Sequence, residues 1–148
     1  MSPLREQLLQ TAEVFLEGFN EFTPESVVRQ RSPTCTHRIS PATLQLPPTS
    51  NAGYGDFVGL LRHAMPAFQM RLAEGQEPII DEAARKVTLY TKSRAETKAG
   101  FYENEYFWVL TMNEDGTLIE DVLEFPDSLH TSEWMPKLRD AALEAAKK

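Results

Sequence analysis

FYENEYFWVLTM, residues 101–112, followed by the turn Asn113-Glu114-Asp115-Gly116 and the run Thr117 to Phe125, decides the reading of this chain. The first run is rich in aromatic and β-branched residues, as strands are. The Asn-Glu-Asp-Gly segment is a hairpin turn signal, so the two runs pair antiparallel. Within the hairpin, Tyr106-Phe107-Trp108-Val109-Leu110 is apolar on both faces of the strand. A sheet covered on one side only would alternate. Both faces must therefore be covered. Helices can cover one of them; a second subunit is the simplest cover for the other, which predicts a homodimer. The competing arrangement wraps the C-terminal helix over the back face.

Working toward the N-terminus, the period of two persists. Phe68, Met70 and Leu72 alternate with Gln69 and Arg71, and Val87, Leu89 and Thr91 alternate with Lys86, Thr88 and Tyr90. Before residue 66 the period changes to three and four. Leu4, Leu8, Ala12, Phe15, Leu16, Phe19 and Phe22 form the stripe of a helix over residues 3–22, capped by Ser2 with Pro3 in its first turn. Thr23-Pro24-Glu25 opens a second, short helix that Ser32-Pro33 ends. Thr34 to Leu46 reads as an edge strand or irregular wall punctuated by Pro41. A third helix runs from about Gly53 to Met65, capped by Ser50 or Asn51. A last helix follows Pro126 and reaches Ala146, with Pro136 predicting a late start or a kink. Helices, then a strand meander, then a helix make an α+β fold with helices packed on one face of a curved sheet.

The 148 residues read as one domain, and the charge balance is acidic: Lys+Arg 15 against Asp+Glu 22, net −7. Nucleic-acid binding rests on clustered cations, so it is excluded. No apolar stretch approaches the ~18 residues of a membrane span, and the capped first helix is not a signal peptide. The single cysteine, Cys35, cannot pair within the chain and excludes Cys-rich metal sites. The three histidines show no metal-binding spacing. The expectation is a cytoplasmic protein without metal or cofactor, doing any chemistry with side chains alone.

The element order, with Phe15 on the first helix, the strand leading to Pro41 and the closing hairpin, resembles the nuclear transport factor 2-like (SnoaL-like) cone fold. That superfamily includes ketosteroid isomerase, scytalone dehydratase and small polyketide cyclases. Shorter runs, "RSPTCTH" at 31–37, "NEY" at 104–106 and "EFPDS" at 124–128, resemble fungal meroterpenoid-pathway isomerases of the terretonin and austinol type. The resemblance implies a cone-shaped curved antiparallel sheet around N-terminal helices, spanning residues 1–148. It implies a cofactor-free isomerase, with or without hydrolysis, that rearranges a polycyclic meroterpenoid ester or lactone. The alternatives are a polyketide cyclase or dehydratase, and a non-catalytic binding module of the same fold.

Such a reaction takes a proton at one place and gives one at another. Alternation puts Asn104, Tyr106, Trp108 and Leu110 on one face of their strand. It puts Ile119, Asp121, Leu123 and Phe125 opposite Glu120, Val122 and Glu124, without saying which set faces a pocket. Similarity to ketosteroid isomerase places Trp108 where that enzyme has its oxyanion-hole acid, Phe15 at its helix tyrosine and Ser40 at its base. It also turns Asp121 inward. Asp121 is then the first candidate acid or base, with Glu105 and Glu124 as an outer-face rival pair. His130, at the expected mouth of the cone, is a proton donor near neutral pH. Arg38, on the same side as Ser40, would hold an ester or enolate oxygen. His37 points the other way and reads as structural. Phe15, Ser40, His63, Tyr106 and Trp108 would line the substrate pocket.

Overall fold

The computed structural model describes residues 1–147. Three helices, α1 (Pro3–Glu21), α2 (Asn51–Leu61) and α3 (Ser128–Ala146), pack on one side of a six-stranded sheet. Its strands are β1 (Arg31–Ile39), β2 (Gln69–Leu72), β3 (Ile79–Asp81), β4 (Lys86–Thr97), β5 (Gly100–Met112) and β6 (Ile119–Pro126), in the order β1-β6-β5-β4-β2 with β3 on β4.

The expected stop signals act where the chain chemistry puts them. The Ser2 side chain accepts from the Arg5 N–H at the start of α1, and Ser50 caps α2 by accepting from Gly53 N–H. α3 begins at Ser128, capped by Asp127, and not at the late start that Pro136 predicted; the helix runs through that proline. Between α1 and β1, the second helix is a single 3-10 turn over Ser26–Val28. Ser26 Oγ donates to Gly18 O at 2.6 Å, and a Cβ on Gly18 would sit 2.2 Å from Ser26 O. Only glycine admits that approach. Ser32-Pro33, expected to end the helix, lies inside β1, where the register against β6 shifts between Arg31 and Thr36. A proline costs no ladder hydrogen bond in such a bulge.

The sheet departs from the sequence reading in two ways. The sheet is mixed rather than wholly antiparallel, because β1 pairs parallel with β6. The whole meander separates the two strands, so nothing local sets their direction. β3 was not anticipated, since three residues are too few to show a period.

One core joins α1, α2 and the inner face of the sheet, centred on Leu8, Phe15, Phe19, Leu89, Trp108 and Leu110. Phe15 and Phe19 pack on Trp108 with ring centroids 5.0 and 5.2 Å away. The β5–β6 hairpin closes through Gly116 at φ +77, and Thr11 on α1 donates to Gly116 O at 2.6 Å. That contact anchors the helix to the tip of the sheet it fills. α3 packs against α2 and the inner face of β5, so the outer face of β5 stays bare, with Phe107 51% exposed. No helix in the described residues is long and apolar enough to cross a membrane.

Candidate active site

The inner face of the sheet and the three helices leave a partly open cavity of about 50 Å³, smaller than the ~300–1,000 Å³ of typical small-molecule sites. Its walls are aromatic and methionine-rich: Phe19 and Phe22 from α1, Tyr54 and Phe57 from α2, and Met65, Phe68, Met70 and Met135. Its polar lining comes from Tyr102, Asn104 and Tyr106 on β5, Glu124 on β6 and Thr131 on α3.

A single extra residue decides which carboxylate reaches this space. Met112 pairs with Ile119 and Thr111 with Asp121, so Glu120 is left without a partner as a β-bulge. Past the bulge the side-chain alternation reverses. Ile119 is buried, Glu120 is exposed, Asp121 is half-buried, and Val122 and Glu124 are buried. The strict alternation that grouped Asp121 with Ile119 therefore fails, and Asp121 faces outward. Glu124, expected on the outer face, lies inside.

Glu124 is the end of a buried chain of three groups. Its Oε1 lies 2.8 Å from His37 Nε2, and His37 Nδ1 lies 3.1 Å from an Arg31 guanidinium nitrogen. A guanidinium can only donate. His37 Nδ1 must accept, so the proton sits on Nε2 and is donated to Glu124. Burial pushes the His37 pKa down, against the pull of Glu124, which favours the neutral ring this arrangement needs. Arg31 is itself buried, which lowers its pKa. It lies over the rings of Tyr54 and Phe15, at 5.2 and 5.9 Å, and its Nε and Nη2 have no hydrogen-bond partner. Its charge is opposed by the carboxylate at the other end. The His37 ring stacks on Tyr54 at 3.9 Å, which locks its orientation.

Facing Glu124 are two phenols. Tyr106 Oη pairs with Ser93 Oγ at 2.8 Å, and Tyr102 Oη accepts from Asn104 Nδ2 at 2.6 Å. Burial raises the pKa of both, Tyr106 well above the usual tyrosine value. They stay protonated and can donate. A carboxylate and two phenols around an apolar space can remove one proton and supply another.

Of the residues singled out from sequence, Tyr106 lines the cavity, and so does Trp108, whose Nε1 donates to Thr91 at 2.9 Å. Phe15 sits behind Trp108 in the core rather than in the wall. Ser40 lies past the end of β1, its N–H bonded to Glu124 O. Arg38 and Asp121 bind each other on the outer face at 2.8 Å. His63 is exposed beside Lys98 and Glu144. His130 stacks on Tyr102 with centroids 5.7 Å apart, but opens on an outer groove with Glu105 and Asp127. Sequence reasoning missed Tyr102 and Arg31. Extending the Asn104–Tyr106–Trp108 face by two residues finds Tyr102. Nothing in the sequence marks Arg31, whose role depends on the neighbours the fold supplies. Among the described residues, no three of His, Cys, Asp and Glu gather as a metal cage would require.

No protein-family model matches the chain. It is 41% identical over 140 residues to austinoid biosynthesis clusters protein H of Penicillium brasilianum, covering 93% of this chain and 95% of that protein. The crystal structure of the BvnE pinacolase from Penicillium brevicompactum superposes with a TM-score of 0.89 at 41% identity, covering 96% of each chain. A putative SnoaL-like polyketide cyclase from Jannaschia sp. CCS1 shares the fold at 12% identity, with a TM-score of 0.68 over 94% of this chain and 96% of that one. With this sequence match along nearly its whole length and a SnoaL-like fold beneath it, the chain belongs to the family of the austinoid biosynthesis cluster proteins.

Proposed function

We propose that the chain is an isomerase of fungal secondary metabolism that rearranges the skeleton of a polycyclic, meroterpenoid-type molecule by side-chain acid/base chemistry, without a cofactor. The observation that carries this is a carboxylate, Glu124, held by neutral His37 in an aromatic cavity that two protonated tyrosines also line. The similarity to a pinacolase and to austinoid cluster proteins supports the same class.

The step runs on these groups. Glu124 takes the proton of a substrate hydroxyl. A neighbouring carbon–carbon bond moves to the adjacent carbonyl carbon, and a new carbonyl forms at the carbon that bore the hydroxyl. The old carbonyl oxygen becomes a hydroxyl by taking a proton from Tyr102 or Tyr106. No atom is gained or lost, so the product is an isomer. The low-polarity walls strengthen each of these interactions. His37 fixes one carboxylate oxygen and leaves the other for substrate. Arg31 fixes the His37 tautomer.

Incubation with polycyclic tertiary α-hydroxy ketones and lactones, with no cofactor added, tests this. A product isomeric with the substrate supports it, and one water heavier supports coupled hydrolysis. Loss of water would favour a dehydratase. Saturable binding without turnover would make the chain a carrier.

The working unit is a homodimer in this reading, acting in the cytoplasm. The outer face of the sheet carries Phe101, Phe107 and Phe125, each about half exposed, with Tyr90 stacked on Phe107 at 4.8 Å. Beside these aromatics, Lys92 lies opposite Glu105 and Arg94 opposite Glu103 in the β4–β5 register. A two-fold axis brings the same patch together from both copies. An apolar centre flanked by alternating acids and bases suits that self-contact. Analytical ultracentrifugation should show a dimer, and a monomer at all concentrations would refute it.

A further inference from the structure

We propose that Asn104 is a positioning residue that turns the Tyr102 hydroxyl into a one-way proton donor for the cavity, and that Thr131 on α3 holds Asn104 in place. The inference rests on the reading of Tyr102 as a proton donor.

The side-chain amide of Asn104 has one orientation. The Glu105 backbone N–H can only donate, and it lies 2.8 Å from Asn104 Oδ1, so the oxygen is there. The amide nitrogen then faces two hydroxyls, Tyr102 Oη at 2.6 Å and Thr131 Oγ1 at 3.0 Å. It donates a hydrogen to each. Tyr102 receives a hydrogen bond on its oxygen, and its own proton must point elsewhere. What remains is the cavity that Tyr102 lines, where the Tyr106 hydroxyl is also a hydrogen-bond neighbour. A donor on the phenol oxygen also steadies negative charge there, easing proton release. Asn104 and Thr131 are both buried, 7% and 4% exposed, so water does not compete for these bonds. Thr131 is in the first turn of α3. The helix that closes the cavity therefore supplies the second anchor of the group that orients its acid.

The test uses an anion that mimics the developing oxyanion. The background is Glu124→Gln, so that the carboxylate does not repel the probe. 2-Naphthol, whose fluorescence reports its ionisation, is the probe, and 2-methoxynaphthalene is its neutral control. Tyr102→Phe should weaken binding of the naphtholate about tenfold or more, as expected for losing a hydrogen bond to an anion. Asn104→Leu, similar in size and uncharged, should weaken it about three- to tenfold. Thr131→Val should weaken it about two- to threefold, with Thr131→Ser restoring it. The neutral control should bind all these variants equally, a result that a purely structural role would not give. If the protein does not prefer the anion, or Tyr102→Phe changes nothing, the reading of Tyr102 as donor fails. If Tyr102→Phe weakens the anion but Asn104→Leu does not, the role of Asn104 alone is overturned. Should Asn104→Leu fail to fold, an unchanged anion affinity in Thr131→Val overturns the anchor.

Discussion

His37 and Arg38 are neighbours on β1, and each reaches across to a carboxylate on β6, yet they do so on opposite faces of the sheet. His37 meets Glu124 inside, where the two side chains are 1% and 11% exposed. Arg38 meets Asp121 outside, at 52% and 31%. Both contacts are 2.8 Å long, so distance does not separate them. The surroundings do. The inner pair is dry, backed by Arg31 and walled by aromatic rings, so its geometry is held without competition from water. The outer pair is solvated, and such pairs contribute about 0–1 kcal/mol. Charge placed inside this sheet can do chemistry; the same charge outside mainly trims the surface.

The largest effect should follow from breaking the inner pair at its reactive end. Glu124→Gln keeps the shape and the contact with His37 but removes the proposed base. Its kcat should fall about 10²–10⁴-fold, and its melting temperature should fall as well, because the buried Arg31 charge loses the carboxylate that opposes it. Next comes the outer aromatic patch. If the proposed homodimer forms through this patch, Phe107→Glu should leave a monomer in sedimentation, because it buries like charges at the centre of a self-facing contact.

A smaller effect comes from the titration of His37. Its folded pKa lies below the ordinary histidine value, so below about pH 6.5 the unfolded chain binds more protons than the folded one. Stability is then fully present above that pH and is lost as pH falls toward the folded pKa. Thermal melts from pH 7 to 5 should show this loss, and His37→Gln should flatten that part of the curve. The smallest effect belongs to the outer ion pair. Asp121→Asn should change kcat by less than about twofold and stability by no more than about 1 kcal/mol. A large loss of activity in Asp121→Asn, with Glu124→Gln active, would reverse the comparison of the two faces.

Much of the fold was legible from local chemistry. The stripe from Leu4 to Phe22, the Ser2 and Ser50 caps and the Asn113–Gly116 turn each depend on residues within a turn or two of one another. The face shared by Asn104, Tyr106 and Trp108 was legible as well, because β5 is regular through that region. The apolar outer residues Phe107 and Val109 lie on a face that the chain's own helices leave bare.

The candidate site was less legible, for a physical reason that Glu120 illustrates. Alternation along a strand assumes an unbroken ladder, and one unpaired residue exchanges the faces of all that follow. The resemblance to ketosteroid isomerase turned Asp121 inward, and alternation then put Glu124 outward; the bulge at Glu120 reverses that assignment. Arg31 shows the same limit from another side. An arginine at a strand start has no local reason to be buried, and only the rings of Phe15 and Tyr54 and the acceptor on His37 give it one.

By itself, then, the sequence determined the α+β class, the helix ends, the hairpin, the acidic charge and the presence of a few titratable groups among many aromatics. Those depend on short-range sterics, capping and burial. Tertiary structure alone decided that β1 lies parallel beside β6, that Glu124 rather than Asp121 meets the cavity, and that Arg31, His37 and Glu124 form one buried chain. These depend on register between segments some ninety residues apart, and no local pattern encodes that register.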